Sequence, residues 1–125
     1  RIDATLYHRI IDYIKQTDIV LTEHVGMSNL SLTTQTKEID TYIYERDTEW
    51  LKESDLVIAE CTCPSLGVGY ELAYAEAHSI PAYVFYDKSK SNISAMLNGN
   101  SYFTVIPYES EADIYPVLDK MLHRQ

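Results

Sequence analysis

Apolar residues recur at helical spacing near the start of the chain, at Leu6, Ile10, Ile11 and Ile14, and predict an amphipathic helix over Ala4–Gln16. The run DIVLTE, Asp18–Glu23, then reads as a short buried strand. From Gly26 to Thr36 the chain is rich in Ser, Thr and Asn without periodicity, which suits a loop, and a loop beside a sheet edge can serve as a lid. Helical spacing returns over Thr36–Ser54, with Ile39, Ile43, Trp50 and Leu51 as its apolar stripe. Three further apolar runs read as strands: DLVIAE at Asp55–Glu60, PAYVFY at Pro81–Tyr86, and Tyr102–Ile106. Between and after them lie a helix with Val68, Leu72 and Ala75 inward, a polar DKSKSN loop, a short SAMLNG helix ended by glycine, and a closing helix over Ala112–Leu122. Strands alternating with helices predict one three-layer α/β domain spanning residues 1–125, a parallel sheet covered by helices on both faces.

The stretch Ala59–His78, AECTCPSLGVGYELAYAEAH, is the most informative. It reads as a strand end, a tight loop carrying Pro64, Ser65, Gly67 and Gly69, and a helix with Glu71 in its first turn. A strand that opens a helix through such a loop sets backbone N–H donors and a positive dipole end at the carboxyl edge of the sheet, where anionic ligands are held. On that reading the dipole biases Glu71 towards ionisation, which suits a nucleophile better than an acid. The plain alternative is a glutamate that only complements the helix N-terminus.

Asp47 falls on the apolar stripe of the preceding helix, four residues after Ile43 and three before Trp50. An acid in that position is either paired or raised in pKa by desolvation. Arg46 and Arg9 are the candidate partners if it is a structural ion pair; otherwise it is placed to protonate or hydrogen-bond a ligand.

Composition narrows the classes. With 125 residues the chain can bury a core without disulfides or metals. Its net charge of −9 argues against a nucleic-acid surface or attraction to an acidic membrane, though aligned donors can still hold a small anion. Two cysteines in a CxC pair, Cys61 and Cys63, lack a second pair and a histidine at ligand spacing, so reduced thiols and no metal are expected. No apolar run is long enough to span a bilayer, and a soluble, cytoplasmic protein is the expectation, with the nucleus also open. Most of the eleven tyrosines are expected to pack half-buried, with Tyr70, beside Glu71, the exception.

Several of these runs, taken together, carry a resemblance. ERDTEWLKESDLVIAE (Glu45–Glu60), PSLGVGYEL (Pro64–Leu72), SAM (Ser94–Met96) and LTEHV (Leu21–Val25) occur in an order and at spacings that resemble the 2'-deoxynucleoside 5'-monophosphate N-glycosidases, relatives of the nucleoside 2-deoxyribosyltransferases. The resemblance implies a flavodoxin-like sheet, a homodimer with shared sites, a small deoxynucleotide substrate and cleavage of the base–deoxyribose bond without metal or other cofactor. It makes Glu71 the nucleophile and gives Asp47 the leaving base to orient or protonate. Ser65 and Gly67 would line the phosphate and sugar site, Ser94 would reach the phosphate in the neighbouring subunit's site, and His24 and Met96 would border the base. A 2-deoxy sugar lacks the hydroxyl that destabilises an oxocarbenium-like state, so an ionised carboxylate and base protonation suffice for a retaining, two-step hydrolysis.

The family also opens with a central strand and a phosphate-contacting loop, for which no residues precede Arg1 in this sequence. The expectation is therefore that the natural chain continues upstream. Two other classes stay open: a base-exchanging transferase using the same Glu71, and a non-catalytic nucleotide-binding module.

Overall fold

The structure, a computed structural model, describes residues 4–21 and 35–124. From the first strand onward its elements alternate as the sequence pattern predicts. Helix α1 (Ala4–Lys15) and helix α2 (Lys37–Glu53) lead to strand β1 (Val57–Glu60), helix α3 (Leu66–Ala77) and strand β2 (Ala82–Asp87). Helix α4 (Ala95–Asn98), strand β3 (Thr104–Tyr108), a 3-10 turn (Glu111–Asp113) and helix α5 (Ile114–Met121) complete it. The sheet is wholly parallel in the order β1-β2-β3, with Val57 opposite Ala82 and Val84 opposite Val105.

The alternating side chains of β2 build a core on each face. On one side Phe85 packs with Ile10 and Ile14 of α1, with Tyr108, and with Ile114, Leu118 and Met121 of α5. On the other, Ala82 and Val84 pack with Ala59, with Leu72 and Ala75 of α3, and with Ile80 and Phe103. Helix α2 lies against α3, and Leu51 is its one buried side chain. The stripe expected to bury Ile39, Ile43 and Trp50 is only half-covered.

Two strand expectations are corrected. Asp18–Leu21 forms no strand, and Ile19 stands 88% exposed; the remainder of that run, Thr22 and Glu23, lies outside the described residues. The backbone leaves α1 through a tight turn instead, in which the amides of Thr17 and Asp18 both donate to the Ile14 carbonyl (3.3 and 3.0 Å). The last strand starts at Thr104 rather than Tyr102, because Asn100 captures the backbone first. Its Oδ1 accepts from the Tyr102 amide at 2.9 Å, and its carbonyl from the Phe103 amide at 3.2 Å. Among the described residues the sheet therefore has three strands, not four.

The carboxyl ends of the strands are tied by a polar network. Thr62 Oγ1 and the Tyr108 hydroxyl donate to Glu60 Oε2, the Thr62 amide donates to Glu60 Oε1 at 2.8 Å, and the Asp87 amide donates to Thr62 Oγ1 at 2.9 Å. Burial and the neighbouring Glu60 carboxylate raise the Tyr108 hydroxyl well above its ordinary range. The helices are pinned by charge: Arg9 donates to both oxygens of Glu111 (2.8 and 2.7 Å), which with the Tyr115 hydroxyl hold the Glu111 carboxyl down to about 2. No helix among the described residues is long and apolar enough to cross a membrane.

Candidate active site

The sequence of α2 puts Tyr44, Asp47, Thr48 and Leu51 on one face, at i, i+3, i+4 and i+7. Helix α3 presents Gly67, Val68, Tyr70 and Glu71 towards it, and Ser65 closes the end. These residues line an open cleft of about 410 Å³ beside the carboxyl end of β1. The structure thus brings together four of the residues singled out from sequence: Asp47, Glu71, Ser65 and Gly67.

Ser65 is the N-cap of α3, its Oγ accepting from the Val68 amide at 3.3 Å. At Gly67 a Cβ would meet only Ser65 Oγ, at an ordinary 3.9 Å, and no positive φ requires glycine there. Packing among the described residues therefore gives no reason for a glycine at 67, which borders the open cleft.

The expectation for Glu71 needs correction. The helix starts at Leu66, so Glu71 is in its second turn, beyond the reach of the terminal dipole. Its carboxyl is half-buried and has no hydrogen-bond partner among the described residues. Desolvation, and after it the charge of Asp47, push its pKa up rather than down. Glu71 is a carboxylate that the fold makes more basic, which suits a nucleophile for a different reason: once ionised, it is poorly solvated and its lone pairs are unengaged.

Asp47 is paired, and with the nearer of the two candidates. Arg46 Nε donates to Asp47 Oδ1 at 3.0 Å, the side chains being 26% and 16% accessible, whereas Arg9 is taken by Glu111. Asp47 Oδ2 has no protein partner among the described residues, so the ion pair leaves one oxygen for the cleft.

Of the remaining candidates, Ser94 and Met96 do not line this cleft. Ser94 caps α4, its Oγ accepting from the Met96 amide at 3.2 Å, and Met96 is 81% exposed. Gly99 ends α4 because a Cβ would come within 2.9 Å of the Ala95 carbonyl oxygen. His24 and most of the LTEHV run lie outside the described residues, as does most of the Gly26–Thr36 loop. The cysteines are free thiols, and burial with the adjacent Glu60 pushes Cys61 up to about 11, so it is not a ready nucleophile. No cluster of three metal-ligating side chains occurs among the described residues.

Two cleft residues, Tyr44 and Thr48, were missed. Tyr44 meets Tyr70 edge to face, ring centroids 6.2 Å apart and hydroxyls 3.5 Å apart. Its position three residues before Asp47 was the available signal.

The cleft thus lies beside a strand–loop–helix turn of a parallel α/β sheet and holds two carboxylates and a capping serine, at the edge where such sheets commonly bind ligands. Residues 2–111 match the nucleoside 2-deoxyribosyltransferase family, and the chain belongs to it. It is 45% identical over 121 residues to a Nematostella vectensis protein provisionally named 2'-deoxynucleoside 5'-phosphate N-hydrolase 1, a match covering 89% of this chain and 79% of that one. A Syntrophotalea carbinolica protein with the same provisional name is 49% identical over 66 residues, 52% of this chain and 46% of its own length. The human 5-hydroxymethyl-dUMP N-hydrolase is 41% identical over 125 residues, covering 96% of this chain and 71% of that protein.

Proposed function

We propose that the chain hydrolyses the N-glycosidic bond of 2'-deoxynucleoside 5'-monophosphates, releasing the base and deoxyribose 5-phosphate. The observation that carries this reading is the pairing, in one cleft, of an unengaged and basic Glu71 with an Asp47 that keeps one oxygen free. The names of the N-hydrolase relatives support the substrate class. Glu71 attacks the anomeric carbon and forms a glycosyl-enzyme, while Asp47 orients or protonates the leaving base. Water then resolves the intermediate, giving overall retention. Ser65 and the first amides of α3 face the phosphate, and Gly67 lets the sugar come close.

Deoxynucleotides are expected to react far faster than ribonucleotides, because the 2'-hydroxyl withdraws electrons from the cation-like state and finds no partner in the site. That second effect alone costs about 1–3 kcal/mol. The test is to incubate the chain with a series of deoxynucleoside monophosphates, 5-hydroxymethyl-dUMP included, and their ribo counterparts, with and without a second free base. Free base from deoxy substrates alone is the expected result. Exchanged nucleotide would mean a transferase, equal ribo and deoxy rates would refute the electronic argument, and binding without turnover would mean a non-catalytic module.

The working unit on this reading is a homodimer in which Ser94 of one subunit serves the phosphate in its partner's cleft. A chain of net charge −9 attracts a dianion only through a few aligned donors, and Ser94 lies outside its own cleft. Mixing Ser94→Ala subunits with Glu71→Ala subunits leaves one intact shared site per heterodimer, so activity should recover. No recovery after proven subunit exchange would count against sharing, and would leave Ser94 its capping role alone.

A further inference from the structure

We propose that Arg46, clasped between the rings of Tyr42 and Trp50, is a positioning residue that fixes the Asp47 carboxylate with one oxygen held and the other turned to the ligand. The inference rests on the hydrolase reading for its kinetic consequence, but the geometry stands without it. The Arg46 guanidinium carbon lies 5.6 Å from the Tyr42 ring centroid and 4.7 Å from that of Trp50. These rings are four residues before and four after Arg46, one turn to each side on the same helical face, so the three side chains form a ladder along α2. Consecutive helix residues do not face each other, yet Arg46 Nε reaches Asp47 Oδ1 at 3.0 Å. The ladder accounts for this: with both flanks of the guanidinium occupied by rings, its planar fork is held in the orientation that meets Asp47.

The titratable groups lining the cleft among the described residues are Tyr44 and Asp47 from α2 and Tyr70 and Glu71 from α3, and Arg46 is the cation paired to one of them. Two carboxylates in one cleft oppose each other's ionisation, and the charge of Asp47 pushes the Glu71 carboxyl up.

The test uses Arg46→Gln, Arg46→Lys and Tyr42→Ala, with two readouts. The first is the carbon-13 chemical shift of the Asp47 carboxyl in the substrate-free protein. The second is kcat and KM on a deoxynucleoside monophosphate. Arg46→Gln is expected to move the Asp47 carboxyl signal and to lower kcat roughly ten- to hundredfold with KM little changed, as for a misplaced catalytic group. Tyr42→Ala, which removes an exposed ring, should do the same to a smaller degree. Arg46→Lys keeps the charge but loses the planar fork, and should recover only part of kcat. An unmoved Asp47 signal in Arg46→Gln, or full kcat in Arg46→Lys, would overturn the proposal. A wild-type chain with no turnover would sink the hydrolase reading alone, since the Asp47 signal still decides whether Arg46 holds that carboxylate.

Discussion

Replacing Glu71 with glutamine is expected to abolish base release, on the order of 10⁴-fold or more for loss of a covalent nucleophile, and to leave the protein at least as stable as before. The second half follows from the first. Glu71 sits half-buried with no hydrogen-bond partner among the described residues and faces the charge of Asp47, and both effects push its carboxyl above the ordinary value of 4.5. A carboxyl raised in the folded state gives its full contribution to stability below the unfolded pKa and loses it as pH rises through the folded one. At neutral pH the ionised Glu71 therefore destabilises the native state, and a neutral glutamine of nearly the same shape relieves that. Thermal unfolding at pH 7 should show an unchanged or higher Tm alongside the lost activity. On the proposed mechanism the same raised pKa should place the acidic limb of wild-type kcat/KM above the usual glutamate range, because the nucleophile must be ionised. A Glu71→Gln protein that keeps near-normal turnover removes the mechanism. One that loses both activity and stability makes Glu71 a structural residue.

Asp47→Asn is expected to cost roughly 10²–10⁴-fold in kcat, the range for a group that orients or protonates the leaving base. Two signatures separate this from loss of an ion pair. The loss should be greatest for bases that leave poorly as anions and least for those that leave well, since only the former need assistance in leaving. The acidic limb of the residual activity should also shift to lower pH, because the Asp47 charge is one of the two causes that raise Glu71. A uniform loss across leaving groups with an unmoved limb would make Asp47 merely the partner of Arg46.

The parts of this site that local pattern encodes were legible in the sequence. The span of α2 was visible because Thr36 and Ser54 bracket an apolar stripe, and the structure uses both as caps: Thr36 Oγ1 accepts from the Ile39 amide, and the Ser54 amide returns to the Leu51 carbonyl. Of the cleft residues of α2, periodicity placed Asp47 and Leu51 on the apolar stripe but did not single out Tyr44 or Thr48. What pattern could not supply was the environment of each charge. Glu71 looked like a first-turn acid because the LGVG run reads as loop, but Ser65 caps the helix one residue before Leu66 and carries Glu71 into the second turn. The sign of its pKa shift was set instead by desolvation and by the charge of Asp47, neither of which local pattern shows. Whether Asp47 would pair with Arg46 or Arg9 depended on α1 meeting the 3-10 turn at Glu111, a contact between residues about a hundred positions apart in the chain. The shift of the last strand similarly turned on one asparagine side chain competing for backbone amides.

The most direct test of the central claim, that the Glu71 carboxylate attacks the anomeric carbon, is mass spectrometry of the protein quenched in acid during turnover of a deoxynucleoside monophosphate, followed by peptide mapping. The account predicts a deoxyribosyl 5-phosphate adduct on the peptide carrying Glu71, absent from Glu71→Gln. Rapid base release with no adduct, and with inversion at the anomeric carbon when methanol replaces water as the acceptor, would contradict it.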